Sequence, residues 1–365
     1  MNYVAFLIYI VLTLLNALYI YNTKRNWLII ISSILCMLLL TYFGDFRFTY
    51  DINNYLSMYE RPFLSADDDF HLYYLFYLFV IAGQDLGLDF QLWWLLMNTL
   101  SFIVLFLAIR VHKLDPHLFL FFFMAYYFLN FYSGFKFYYG FCLYFWAFGY
   151  LFKPGKSNTV KYIILCALAG GFHIMYYFYI PFVLLKVFDG LLLKRRWIIG
   201  LMVTLSLLLS VYFRITGTAS SLFSSFDTGD SDKIQEYLEM STNFGFYIPV
   251  FFHILCVLLA SQLSKRAHRY NDLYTTQYSV KLWQNTISQV LFYPAYMLAL
   301  TFTRLTTVSS LILISYQGDG RLVYSSKDRK QFMLISLLIL FAFYFRQFVI
   351  GNLWDVNIIP LFTIR

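Results

Sequence analysis

Apolar runs separated by short polar stretches set the rhythm of this chain. The runs cover about Tyr3–Tyr21, Trp27–Phe43, Phe90–Ile109, Leu118–Tyr132, Phe137–Phe152, Trp197–Phe213, Phe246–Gln262, Trp283–Leu300, Leu305–Tyr316 and Gln331–Phe345. Several reach roughly 17 to 22 residues, enough for a helix to cross the hydrocarbon core of a bilayer. A membrane β-barrel would show segments of about ten residues with alternating polarity instead. The pattern predicts an all-α, polytopic integral membrane protein with about 12 transmembrane segments. It reads as a single membrane-embedded domain over 1–365, with an external segment 44–70 and an external loop 214–243. The apolar piece His71–Ala82 is too short for a full span and reads as re-entrant or interfacial. Residues 162–185 read as a broken hairpin of two half-helices meeting at Gly170-Gly171-Phe172-His173, because one continuous span would carry Lys186, Lys194, Arg195 and Arg196 to the outer side.

Composition agrees with this class: 61% of residues are hydrophobic and 13% charged, against about 25% charged in soluble domains. The net charge of +8 does not indicate a nucleic-acid partner, because the basic residues are dispersed between apolar runs, as topology signals are. Lys24 and Arg25, Arg110 and Lys113, Lys153, Lys156 and Lys161, Lys265, Arg266, Arg269 and Lys281, and Arg321, Lys327, Arg329 and Lys330 mark the inner side and put the N-terminus outside. The first run has no basic leader and reads as a retained span rather than a signal peptide. Cys36, Cys142, Cys166 and Cys256 all sit within apolar runs, outside any C-x-x-C pair, and read as small buried hydrophobes. The chain lacks a P-loop, an H-E-x-x-H and a G-x-S-x-G, and no acidic pair lies within the spans.

The candidate chemistry gathers on the outer side of this topology. Arg47, Asp51, Asn54 and Tyr55 are spaced i, i+4, i+7 and i+8, so a helix would present them on one face. Lys136, Arg304 and Arg346 fall beside membrane segments at the same depth. Each such cation has a bland explanation as a side chain snorkelling to lipid head groups. Four of them near one level, beside His173, instead fit a pyrophosphate ligand, since guanidinium groups match phosphate oxygens bidentately. His173 is either a core histidine bonded to a backbone carbonyl or a neutral imidazole placed as general base for a sugar hydroxyl. Asp67-Asp68-Asp69 with His71 resembles a cation site, but an acidic solvated loop explains it better, and no metal site is assigned.

The order of these features resembles the EpsG/Wzy-type polysaccharide polymerases of bacterial envelopes. The likeness runs from about Phe43 to Tyr316 and rests chiefly on Arg47, Asp51, Asn54 and Tyr55 and on Phe172-His173. It departs at Lys136, where the family usually has Arg. The resemblance implies a multi-span (GT-C-like) glycosyltransferase acting at the outer face of the bacterial cytoplasmic membrane. Such an enzyme transfers a glycan from polyprenyl pyrophosphate to the sugar of another lipid-linked repeat unit of a capsule, exopolysaccharide or O-antigen. It implies no cofactor, neither metal nor nucleotide sugar, and work beside membrane lipids, a flippase and chain-length regulator proteins. The expected roles are His173 as base, Asp51 orienting Arg47 or a sugar hydroxyl, Arg47, Lys136, Arg304 and Arg346 on pyrophosphate, and Asn54 and Tyr55 as substrate supports. Two rivals are a flippase or exporter of lipid-linked glycan, which needs polar residues through the full membrane depth, and a membrane acyltransferase, which needs His173 on the donor's side.

Overall fold

The computed structural model describes residues 1–20, 25–45, 49–61, 73–151, 153–187, 196–216, 247–267, 273–294, 304–317, 326–349 and 354–363. Every extended element among them is helical. Phe90–His112 is long and apolar enough to cross a membrane by itself, and six further apolar helices have 10–17 residues. The chain gathers into two compact units. The first is built on Met1–Phe178 and Phe343–Arg365, the second on Tyr179–Gln317 and Tyr324–Ala342.

The first unit opens with α1 (Tyr3–Tyr19) and α2 (Trp27–Phe43). Asn2 caps α1, its side-chain oxygen accepting from the N–H groups of Val4 and Ala5. Two short helices follow, α3 (Tyr50–Glu60) and α4 (Tyr74–Asp85), then α5 (Phe90–His112). The next helix is interrupted: α6 (Pro116–Phe122) passes through a π-helical turn at Phe123–Tyr127 into α7 (Phe128–Phe131). A π turn widens the backbone and frees carbonyl groups. Here the Tyr9 hydroxyl donates to the Met124 carbonyl at 2.6 Å, and the Tyr344 hydroxyl donates to that of Ala125. A buried polar relay joins α1, α2 and α6. His117 Nε2 accepts from the Asn26 N–H, so Nδ1 carries the hydrogen and donates to Asn16 Oδ1, whose amide donates to Ser33 Oγ.

The centre of the unit is α8 (Phe135–Leu151), paired with α9 (Lys156–Phe172). Fourteen of the 17 residues of α8 are buried, so it is covered on every side, as an all-apolar helix must be. It packs most extensively on α9 and next on α5. Glycine makes the closeness possible. A Cβ at Gly140 would stand 2.4 Å from the Tyr176 ring and 3.1 Å from the Ala169 carbonyl oxygen, and one at Gly171 would stand 2.8 Å from Leu75 and Tyr74. Cys142 and Cys166 are buried free thiols inside this pair, Cys256 is buried in the second unit and Cys36 is half-buried, as expected of small hydrophobes.

The segment expected as two half-helices differs in an instructive way. Helix α9 begins at Lys156, not near Tyr162, and passes straight through Gly170-Gly171 to Phe172. Its 17 residues span about 25 Å, a limb of nearly full depth. The break falls at the far end of the expected Gly170–His173 joint, at His173, whose extended backbone (φ −153°, ψ 118°) ends the helix. A 3-10 helix at Ile174–Val183 containing Pro181, then α10 (Leu184–Val187), continues the chain. The glycines serve close packing rather than the break.

The second unit contains α11 (Arg196–Thr216), α12 (Tyr247–Ala267), α13 (Leu273–Ser288) with a 3-10 turn at Gln289–Phe292, α14 (Arg304–Gln317) and the first part of α15 (Ser326–Val349). Helix α13 starts ten residues before the span expected at Trp283. Its polar first half is therefore structured, and two basic residues read as inner-side loop signals are buried. Arg266 Nε lies 3.4 Å from Asp328 Oδ1, and Lys281 Nζ donates to the Leu185 carbonyl at 2.7 Å.

Candidate active site

The site is built where the open ends of the α8–α9 pair meet α3 and α4. The two helices are joined by a short connection at Lys153–Gly155, so the start of α8 and the end of α9 lie at the same end. Lys136 stands at the second position of α8 and His173 directly follows α9. Lys136 was expected between the apolar runs that end at Tyr132 and begin at Phe137. The helix instead starts at Phe135, whose buried ring packs on Trp94 at 4.9 Å and fixes where the lysine leaves the bundle.

The Lys136 ammonium sits in a cage of three rings. Its Nζ lies 3.9 Å from the centre of the Tyr73 ring, 5.4 Å from Phe76 and 5.7 Å from Tyr55. Cation–π contact of this kind holds a charge in place, for about 0.5–2 kcal/mol. The same Tyr73 ring lies 5.8 Å from the imidazole of His173. His173 also meets Phe137 edge-on at 5.3 Å and Tyr176 at 6.3 Å, and the Tyr176 hydroxyl donates to the Phe137 carbonyl at 2.8 Å. His173 is 9% exposed. The Met175 N–H donates to its Nδ1 at 3.4 Å, at the long end of hydrogen-bond distance.

Helix α3 supplies the polar wall. It starts at Tyr50, so Asp51 lies in its first turn, where a carboxylate interacts well with the helix dipole. Asp51, Asn54 and Tyr55 share a face as their spacing predicted. Tyr55 is 5% exposed and packs on Phe76 at 5.3 Å and Trp94 at 5.9 Å. Asn54 is half-buried. The Asp51 carboxylate reaches the turn before α8: a methyl group on Gly134 would be 3.9 Å from its Oδ2. Helix α3 is tied to the turn between α4 and α5 by the Tyr59 hydroxyl donating to the Leu88 carbonyl at 2.8 Å. Burial, with Asp89 adding to it, raises the Tyr59 phenol above its usual pKa, so this hydroxyl stays a donor.

The structure thus brings together Asp51 and Tyr55 of α3, Lys136 at the start of α8 and His173 at the end of α9, three places in the sequence. Arg47 lies outside the described residues, as do Asp67-Asp68-Asp69 and His71. Arg304 opens α14 in the second unit, and Arg346 lies in the last part of α15. No group of three or more His, Cys, Asp or Glu that could hold a metal ion occurs among the described residues. The residue that sequence reasoning missed is Tyr73, one ring touching both the cation and the imidazole. Among 33 tyrosines, nothing in its local sequence distinguishes it.

A family model described as the EpsG family matches residues 29–362 of this chain. No curated protein and no solved structure matches it.

Proposed function

The chain belongs to the EpsG family, and from that premise we propose that it is a membrane glycosyltransferase that polymerises a surface polysaccharide. The substrate is an oligosaccharide on polyprenyl pyrophosphate, and the acceptor is the terminal sugar of a second lipid-linked unit. The protein crosses the bacterial cytoplasmic membrane about twelve times, with the site on the outer side. The observation that carries the reading is the convergence of Lys136 and His173 on the Tyr73 ring, with Asp51 beside the turn that starts α8.

In this reading the acceptor hydroxyl oxygen attacks the anomeric carbon of the donor sugar. Its proton passes to His173, the bond from that carbon to the pyrophosphate oxygen breaks, and the leaving group departs with the electron pair. A fixed cation near the leaving oxygen stabilises the charge that develops there, and stabilises it more than it does the ground state. The caged Lys136 supplies such a charge as a point donor rather than a fork. Arg47 and Arg346 are the further pyrophosphate ligands in this proposal, Asp51 orients Arg47 or a sugar hydroxyl, and Asn54 and Tyr55 hold substrate. The reading requires neither metal nor nucleotide sugar.

The test is the length of the glycan on the lipid carrier in cells with and without this protein. Single repeat units should accumulate on the carrier when the protein is absent, and restoring it should restore long chains. Long lipid-linked chains persisting without it would rule out the polymerase reading.

A further inference from the structure

The second unit holds polar groups that the site above does not use. Gln284, Asn285 and Gln289 are 1%, 1% and 0% exposed. Both polar atoms of each of the three carboxamides lack a hydrogen-bond partner among the described residues. Buried polar groups are rarely left this way, because each loses its hydration with nothing in return. Three adjacent ones, six atoms in all, are not accidental leftovers of packing.

Their placement is orderly. Tyr278, Lys281, Asn285 and Gln289 follow one another at helical spacing, with Gln284 alongside Lys281 at i+3, so they form a stripe along α13. The ring of Tyr278 stacks on Tyr316 of α14 at 4.0 Å, which gives the stripe an aromatic end. At its other end the backbone changes from α to 3-10 at Gln289, a change that often marks a functional position. The stripe is held rigidly from behind. His253 of α12 bonds the Thr286 carbonyl at 2.6 Å and the Tyr293 hydroxyl at 2.8 Å, and Ser206 Oγ donates to the Val290 carbonyl at 2.8 Å. The surroundings are thus tied down, while the three carboxamides themselves are not.

The chemistry selects the ligand class. A carboxamide both donates and accepts, and so does a sugar hydroxyl. A phosphate would want cations, and the ammonium on this stripe, Lys281, is engaged by the Leu185 carbonyl. A metal cation would want carboxylates, which the stripe lacks. A lipid tail would leave all six atoms unsatisfied. We propose that Gln284, Asn285 and Gln289 form a binding site for neutral sugar hydroxyls, where a glycan strand is held in the second unit. That this strand is the polymer being extended rests on the polymerase reading. That the stripe takes a neutral polyhydroxylated ligand does not.

The test uses the purified full chain in lipid nanodiscs. The probe is the set of oligosaccharides released by partial hydrolysis of the cells' own surface polysaccharide, free of lipid and pyrophosphate. The readouts are the thermal unfolding midpoint without ligand and the probe concentration that half-saturates its ligand-induced rise. Gln284→Met and Asn285→Leu should leave the ligand-free midpoint unchanged or higher, because each removes an unsatisfied buried group. The same variants should raise the half-saturating concentration at least tenfold. Gln289→Asn keeps the amide on a shorter stem and should weaken binding in the same direction, so it decides the matter if the apolar variants express poorly. Unchanged half-saturation in Gln289→Asn overturns the proposal, as does the absence of any ligand-induced rise in the wild type. A lowered ligand-free midpoint in the Met and Leu variants, with half-saturation kept, also overturns it, since the carboxamides would then be bonded within the fold. Failure of the polymerase reading shows elsewhere, as long lipid-linked chains in cells without the protein, and leaves this binding measurement to decide the site.

Discussion

At the scale of single residues, a base and a structural histidine make different predictions at His173. The residue ends α9 in extended conformation, between Tyr73, Phe137 and Tyr176. As the base, it should lose about a hundred- to ten-thousand-fold in polymerisation rate on replacement by Gln or Ala. The purified variants should still fold and bind lipid-linked substrate. A packing histidine would keep much of its rate as Gln. Retention of more than about a tenth of the wild-type rate by His173→Gln removes the base role. Tyr73 gives a second prediction. If its ring holds the Lys136 ammonium, Tyr73→Phe keeps the π face and should retain most activity, whereas Tyr73→Leu should lower kcat. The cation–π energy of about 0.5–2 kcal/mol sets the size of that loss at roughly two- to thirtyfold. Equal loss in Phe and Leu would assign the effect to the hydroxyl instead. Asp51, Lys136 and His173 were legible in the sequence because charge and imidazole are rare in so apolar a chain. Tyr73 was not, because an aromatic ring is the commonest thing in it.

At the scale of elements, apolar periodicity located the long helices well. The first two spans were expected at about Tyr3–Tyr21 and Trp27–Phe43, and the helices run Tyr3–Tyr19 and Trp27–Phe43. It misled where polar residues sit inside a packed helix. Helix α13 was expected from Trp283 because Lys281 read as part of an inner-side segment, yet the helix runs back to Leu273 with Tyr278, Ser279 and Lys281 buried in it. The Gly170-Gly171 pair misled for a different reason. Glycine marks both breaks and close approaches, and only the packed partner tells them apart. That distinction is testable at Gly140. An added methyl would meet the Tyr176 ring and the Ala169 backbone, which cannot swing away. Gly140→Ala should therefore destabilise by about 1–3 kcal/mol through overpacking, despite the better helix propensity of Ala. Gly200 in α11 has nothing within 4 Å of an added Cβ, so Gly200→Ala should stabilise by up to about 1 kcal/mol. Thermal unfolding of the two variants in one detergent checks both signs, and a stabilised Gly140→Ala would show that the α8–α9 approach is looser than described.

At the scale of the molecule, the first unit has two chemically different ends, which gives a prediction about how it lies in the membrane. Helix α5 separates the 84–89 turn from Lys113, and the α6–α7 segment returns the chain to the turn before α8. Helices α8 and α9 then run away and back, so Lys136 and His173 share an end with 84–89, while Lys113, Lys153 and Lys161 share the other. The basic end is real in space as well as in sequence. Burial, and then Lys113 and Lys161 beside it, hold the Lys153 ammonium below the usual lysine range. Three lysines gathered against mutual repulsion fit the inner side, where basic residues concentrate. The candidate site would then face outward, as the polymerase reading requires. Single cysteines placed in a chain cleared of its four native ones decide this. Leu86 is 75% exposed in the 84–89 turn, and Ser157 is exposed in the first turn of α9. Leu86→Cys should react with an impermeant thiol reagent added to intact spheroplasts, and Ser157→Cys should react only after lysis. The reverse pattern would turn the unit over and carry Lys136 and His173 to the cytoplasmic side. Polymerisation at the outer face would then lose its site, and acyl transfer from a cytoplasmic donor would become the better account of His173.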